Sequence, residues 1–128
     1  MKIENIKFKA KRLDNGEWVE GSLIRSTDGI KERAYIVDNF SSMNDYSIIG
    51  VAPSTVCQFT GFKDIEGNEV WEGDILDGRI KGEVVFMFGT FALHPLDCNK
   101  REVFAPLYYF RLGDKTLDLK VIGNKFDK

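Results

Sequence analysis

Three acidic residues close together are the first candidates for catalysis. Glu72 and Asp74 would project from the same side of an extended strand, where two carboxylates can share a proton or a metal ion, and Asp77 follows. A structural role fits as well, because Gly73 would allow a tight bend and Asp74 would accept hydrogen bonds from backbone N–H groups. We favour the structural role, and a hydrolase or nuclease that uses Glu72, Asp74 or His94 ranks last among the functions considered.

A histidine, a carboxylate and a thiol form the second candidate group. His94, Asp97 and Cys98 lie close in sequence, and with Cys57 they include ligand types that bind zinc. No C-x-x-C or H-x-x-x-H pair accompanies them, and Pro95 predicts an exposed turn after His94. A Cys-His nucleophile pair would also lack a group that orients the imidazole and an oxyanion hole. We therefore predict no catalytic residue, no metal site and no cofactor.

Aromatic and basic residues are frequent in the C-terminal half. Small barrels hold single-stranded nucleic acid with stacked rings beside positive charge, so Lys81, Lys100 and Arg101 are predicted nucleic-acid contacts. Alternate side chains of a strand face a barrel interior, so most of the rings are expected in the core. The rings are those of Phe86, Phe88, Phe91, Phe104, Tyr108, Tyr109 and Phe110. Three consecutive rings in a strand cannot all face one interior. The predicted interaction surface is therefore Tyr108, Tyr109, Phe110 and Arg111.

The composition limits the class of protein. A chain of 128 residues with 43% hydrophobic residues can bury one core, and 18 Lys and Arg against 20 Asp and Glu give a net charge of −2 without a cluster of cations. No stretch is apolar enough to span a bilayer, and the start lacks the apolar run of a signal peptide. We expect a soluble cytoplasmic protein with no membrane association and no structural disulfide between its two cysteines.

Short alternating segments predict an all-β fold. Ile6, Phe8 and Ala10 alternate with lysines, and Asn15-Gly16 predicts a type I′ turn between two strands of a hairpin. A strand over residues 33–38 and a loop over 39–45 follow. Further strands are predicted at 55–60, 70–71, 82–88, 91–92, 103–112 and 119–122, with a turn at 64–68. Pro53 marks the predicted boundary between domains 1–52 and 53–128, although one domain over 1–128 also fits.

The central segment resembles the signature of the YopX family of phage and prophage proteins. Its matching residues, for which we predict a structural role, are Pro53, Gln58, Thr60, Gly61, Asp64, Gly67, Trp71, Glu72, Gly73 and Asp74. Segments at both ends, 6–10 and 121–126, match as well, whereas 81–118 matches no family pattern. Family members usually carry Tyr at the position of Trp71. The resemblance implies a small β-rich protein in the cytoplasm of a bacterial host, and it implies no activity.

These patterns together predict a mainly antiparallel all-β protein with an N-terminal hairpin region and a C-terminal SH3-like barrel. The predicted function is a non-catalytic protein-interaction or accessory module that binds a host or phage protein, and homo-oligomers are compatible with it. A nucleic-acid-binding small barrel is the alternative.

Overall fold

A computed structural model describes residues 2–27, 29–42, 45–97 and 104–127. These residues form eleven β-strands in two antiparallel sheets and three 3₁₀ helices, and none of them lies in an α-helix. The all-β, mainly antiparallel fold is confirmed. The strands are β1 (Phe8–Lys11), β2 (Trp18–Thr27), β3 (Glu32–Ser42), β4 (Asp45–Val51), β5 (Cys57–Lys63), β6 (Glu69–Trp71), β7 (Asp74–Gly78), β8 (Gly82–Met87), β9 (Thr90–Pro95), β10 (Ala105–Pro106) and β11 (Leu119–Asn124), and the 3₁₀ helices are η1 (Ile3–Asn5), η2 (Pro53–Thr55) and η3 (Leu107–Phe110).

The first of two compact units, Met1–Gln58, contains an antiparallel sheet in the order β4-β3-β2-β1, with the start of β5 next to β1. Its core consists of small and branched apolar side chains, which suit strands that pack closely. Gly21 on β2 is required by this packing, because a Cβ there would lie 2.1 Å from the carbonyl oxygen of Val37. The buried core residues are Ala10, Ala34, Ile36 and Val51.

The structure confirms the predicted N-terminal hairpin but not its two-residue turn. Gly16 has a φ of +72°, whereas Asn15 does not have a positive φ. The side chain of Asn15 instead accepts a hydrogen bond from the Glu17 N–H (2.9 Å), and the Arg12 N–H donates to the Glu17 carbonyl oxygen (2.9 Å). The local Asn15 hydrogen bond competes with the geometry of a type I′ turn, so the connection is longer.

The predicted loop over residues 39–45 is wrong for 39–42 and 45, which lie in strands, whereas residues 43 and 44 lie outside the described residues. Strand β3 continues to Ser42 and β4 begins at Asp45, and these two residues pair after a register shift that follows Asp38. A polar stretch can be either a loop or a pair of hydrogen-bonded strands, because main-chain hydrogen bonds between strands require no apolar side chain.

The second unit, Phe59–Lys128, contains the five-stranded sheet in the order β10-β9-β8-β7-β11, and here β5 pairs with β6. Its core contains side chains from this sheet, from β6, from η3 and from the segment before β11. The buried residues are Val70, Leu76, Val84, Leu93, Leu107, Phe110, Leu117 and Leu119.

Two predictions for the C-terminal half need correction. Neither sheet closes among the described residues, so the SH3-like barrel is not confirmed. The predicted strand over 103–112 is wrong, because β10 contains only Ala105 and Pro106 and is followed by η3. Pro106 has no N–H to donate to a ladder, which explains why the strand ends there. The domain boundary at Pro53 stays a prediction.

Candidate functional site

Asp64 of the family motif is a buried carboxylate that holds two segments together. Its side chain begins the turn between β5 and β6 and is only 1% exposed. Oδ1 accepts hydrogen bonds from the N–H groups of Glu66 (2.9 Å) and Asn68 (2.8 Å). Oδ2 accepts from the Val121 N–H on β11 (2.9 Å) and from Asn68 Nδ2 (3.2 Å). Both oxygens are thus used within the fold, which leaves this carboxylate little capacity for substrate.

Hydrogen bonding decides the charge state of Asp64. Burial disfavours the carboxylate and would raise its pKa, but the hydrogen bonds from Val121, Asn68 and Glu66 favour the charged form. The net effect lowers the pKa of Asp64 below its ordinary value. Asp64 is therefore ionised at neutral pH, as an acceptor of four hydrogen bonds requires.

Asp74 connects the start of β7 to the end of β11. Oδ2 accepts from the Trp71 N–H (2.8 Å), and Oδ1 accepts from Asn124 Nδ2 (2.9 Å). Gly73 forms the bend before it with a φ of +88°, and its carbonyl oxygen accepts from the Lys125 N–H (2.9 Å). The side chain of Asp74 is buried. These contacts are those of a carboxylate that bonds to nearby backbone and fixes a bend.

Other motif residues also serve the connection between β5 and β6. Thr60 Oγ1 donates to the Val70 carbonyl oxygen (2.7 Å) and accepts from the Phe62 N–H (3.1 Å). Gly61 and Gly67 both have positive φ angles, +86° and +88°, which favour glycine. The contacts of these motif residues are local and intramolecular.

The other candidate acids do not complete a paired-carboxylate site. Glu72 lies in the turn between β6 and β7, so the alternation of an extended strand does not apply to it and Asp74. Asp77 is exposed on β7, and its Oδ1 accepts from the Gly78 N–H (2.9 Å). Among the described residues, no group of three or more His, Cys, Asp or Glu side chains could hold a metal ion.

The members of the histidine and thiol group lie in different parts of the chain. His94 lies in β9 opposite Glu83 and is half-buried, so the predicted exposed turn at His94-Pro95 is wrong. Cys57 is buried, and its Sγ donates to the Thr55 carbonyl oxygen (3.3 Å). Cys98 lies outside the described residues.

One of the three predicted nucleic-acid contacts can be located. Lys81 is exposed at a recess of about 370 Å³, whose lining also includes Arg79, Asp77 and Asp97. Because two acids accompany the two cations, this recess lacks the uniformly positive charge that binds phosphates. Lys100 and Arg101 lie outside the described residues.

Three residues of the predicted interaction surface, Tyr108, Tyr109 and Phe110, lie in η3, and Arg111 follows it. A 3₁₀ helix has three residues per turn, so Leu107 and Phe110 share one side and are buried in the core, and Tyr108 and Tyr109 face outward. Tyr108 is 48% exposed and Tyr109 is 63% exposed. Their ring centroids are 4.8 Å apart in an edge-to-face arrangement. Arg111 is exposed, and its Nε donates to the Tyr108 carbonyl oxygen (3.2 Å).

Two neighbouring phenols and one cation determine the electrostatics of this surface. A hydrogen bond with Tyr109 raises the pKa of Tyr108, and the nearby Arg111 guanidinium opposes that effect. The Tyr108 ring is thus neutral at physiological pH and presents its hydroxyl group beside one positive charge. On the buried side, the Arg79 guanidinium carbon lies 5.2 Å from the centroid of Phe110.

Sequence reasoning missed a second aromatic surface at the tip of the β8–β9 hairpin. Phe86 and Phe88, two of the seven rings of which most were expected in the core, are both exposed. The ring of Phe86 meets Phe91 edge to face at 5.0 Å, and the ring of Phe88 lies 5.7 Å from that of Phe104. Phe88-Gly89 between two apolar strands was the available signal, since a hairpin turn removes its residues from the core.

Comparison with known proteins identifies the family. None of the helices in the described part of the chain is long and apolar enough to cross a membrane. A search of curated proteins finds no match. The family model described as YopX protein matches residues 7–128, nearly the whole chain. With its motif carboxylates placed as structural acceptors inside an all-β fold, this protein belongs to the YopX family.

Proposed function

We propose that this protein is a non-catalytic protein-interaction module and that Tyr108, Tyr109 and Arg111 contact its protein partner. The observation that carries the proposal is the outward display of two tyrosine rings on η3. Exposed tyrosine and arginine side chains are enriched at protein interfaces, where tyrosine combines apolar area with a hydrogen-bonding hydroxyl. Leu107 and Phe110 fix η3 to the core, so the backbone that carries the two rings is held in place before binding.

The use of the acidic residues supports a non-catalytic role. Asp64 and Asp74 accept hydrogen bonds from backbone and amide groups, and this role explains their positions in the family motif. A general base needs a free lone pair within reach of substrate. Membership of the YopX family supports a phage-type protein, and the cytoplasm of a bacterial host is the proposed place of action.

Charge favours a protein partner over nucleic acid. The chain has a net charge of −2, and Lys81 shares its recess with two acids. Binding to phosphates depends on several clustered cations. The tyrosine surface carries one cation, Arg111, which suits a partner with a few acidic groups among apolar ones.

Affinity retrieval from host lysate tests this proposal. The tagged protein is incubated with nuclease-treated lysate of infected and uninfected cells and eluted in steps of salt. We expect a protein partner that survives nuclease and is lost with Tyr109→Ala, whereas Ile122→Ala, at an exposed apolar residue of β11, retains it. Retrieval that depends on nucleic acid and falls with salt would contradict the proposal and favour the alternative function.

A further inference from the structure

Phe88 occupies a backbone conformation that phenylalanine rarely adopts. The loop between β8 and β9 consists of Phe88 and Gly89 alone, with φ angles of +51° and +78°, as in a type I′ turn. Asn, Asp and Gly are the usual residues at the first position, and a bulky residue with positive φ is an outlier. The Phe88 ring is 86% exposed, so its own core gains little from it. A strained residue that the fold does not need indicates a functional site.

The chemistry of the hairpin tip limits what the ring can bind. The segment of residues 84–93 contains no charged side chain, and Phe86 on the same hairpin is half-exposed. Nucleic acids and anionic membrane surfaces attract cations, which this tip does not offer. The tip is therefore suited to an apolar receptor of about the size of one ring.

The first unit contains a recess with these properties. Its volume is about 300 Å³, and its walls include Leu13, Tyr35, Val51 and Pro53. An engineered apolar cavity of about 150 Å³ holds benzene, so this recess has room for a benzyl side chain. Leu13 at its rim is 70% exposed and is held there by its N–H, which donates to the Gly50 carbonyl oxygen (3.1 Å).

The polar side chains at the recess are compatible with an aromatic ring. Lys31 and Arg33 line it together with the acid Glu32, and all three residues are exposed. A cation near the face of an aromatic ring is attracted by the ring quadrupole, and Tyr35 offers a ring for edge or offset stacking. An uncharged ring would thus meet apolar walls, an aromatic neighbour, two cations and one acid.

We propose that Phe88 of one copy inserts into this recess of a second copy, so that the chain associates with itself head to tail. The two sides of such a contact are different surfaces, and repetition of the contact builds a ring or an open chain. This inference goes beyond the proposed function, because it concerns a surface other than Tyr108–Tyr109 and requires no other protein.

Analytical ultracentrifugation of the purified full chain over a concentration series tests the proposal. We expect association that is insensitive to salt and about tenfold weaker or more in Phe88→Asn, since loss of an aromatic anchor has effects of this size. Asparagine fits the turn, so the same variant should unfold at a higher temperature than wild type. Loss of association together with gain of stability separates this effect from misfolding.

A second variant blocks the receptor. A Cβ on Gly50 would contact only Leu13, at 3.6 Å, so Gly50→Phe fills the recess from β4. If Gly50→Phe does not fold, Leu13→Asp serves as the receptor variant instead, because it places a charge at an exposed position of the recess. Each receptor variant alone should associate weakly. An equimolar mixture of Phe88→Asn with a receptor variant should form dimers that grow no further, because one intact tip and one intact recess remain.

Several results would overturn the proposal. A wild-type chain that stays monomeric at every concentration excludes the contact. Unchanged association in Phe88→Asn removes the ring from the interface. If Phe88→Asn loses association but both receptor variants still associate like wild type, the hairpin tip contacts something other than the recess. Failure of the mixture to form dimers would lead to the same conclusion.

Discussion

Replacement of Asp64 by asparagine should destabilise the second unit because it removes half of a buried hydrogen-bond set. The oxygen of asparagine can keep the bonds from Glu66 and Asn68 that Oδ1 accepts. Its NH₂ group would then face the Val121 N–H and Asn68 Nδ2, which are both donors. Hydrogen bonds to a charged acceptor contribute about 1.5–3 kcal/mol each. Since asparagine side chains can adjust, we expect a loss of about 2–4 kcal/mol in the free energy of unfolding.

The pH dependence of this loss follows from the pKa of Asp64. Folding lowers that pKa below its ordinary value of 3.8. A group whose pKa is lowered by folding contributes stability that is complete above the unfolded-state pKa and disappears as pH falls through the folded-state pKa. The difference between wild type and Asp64→Asn should therefore be largest at neutral pH and shrink below pH 3.8.

Urea denaturation monitored by tryptophan fluorescence measures the effect at neutral and acidic pH. Glu66→Gln is the matched control, because Glu66 lies in the same turn and forms only an exposed ion pair with Lys120 (3.3 Å). The control should change stability by less than about 0.5 kcal/mol. A loss below about 1 kcal/mol in Asp64→Asn, or a difference that persists unchanged in acid, would refute the role assigned to the carboxylate.

Three further predictions address the strands, the motif bend and the tyrosine surface. Gly21→Ala should cost about 2 kcal/mol or more in chemical denaturation, because its Cβ would lie 2.1 Å from a carbonyl oxygen of β3. Gly73→Ala should cost about 1–2 kcal/mol at its φ of +88°, whereas Gly123→Ala, with open space around its Cβ, should be near neutral; equal effects would contradict this. Tyr109→Phe should lower the pKa of Tyr108 in a spectrophotometric titration, since their hydrogen bond raises it, and an unchanged pKa would contradict that contact.

The sequence predicted the elements whose pattern is local. Alternation of apolar and polar residues identified the N-terminal hairpin and the turn between β5 and β6, because the period of a strand is visible within a few residues. Strand β10 ends at Pro106, which cannot donate an N–H to a strand ladder. The aromatic residues after it form η3, where a strand was predicted. The extension of β3 to Ser42 was missed because main-chain pairing does not depend on apolar side chains.

The site was harder to predict because its contacts are distant in sequence. Asp64 meets Val121 across 57 residues, and Asp74 meets Asn124 across 50, so neither partner can be read from the local pattern. Local reasoning did suggest that Asp74 bonds to backbone. The exposure of Phe88 depends on the tip of a hairpin whose position only the strand register fixes.

Site-specific photo-crosslinking tests the central claim, that the tyrosine surface binds a protein, most directly. A photoreactive phenylalanine at position 109 is compared in host cells with the same residue at position 66, which is also exposed. The proposed function predicts a defined protein adduct at position 109 that is absent at position 66. Adducts with nucleic acid, or the same proteins at both positions, would contradict it.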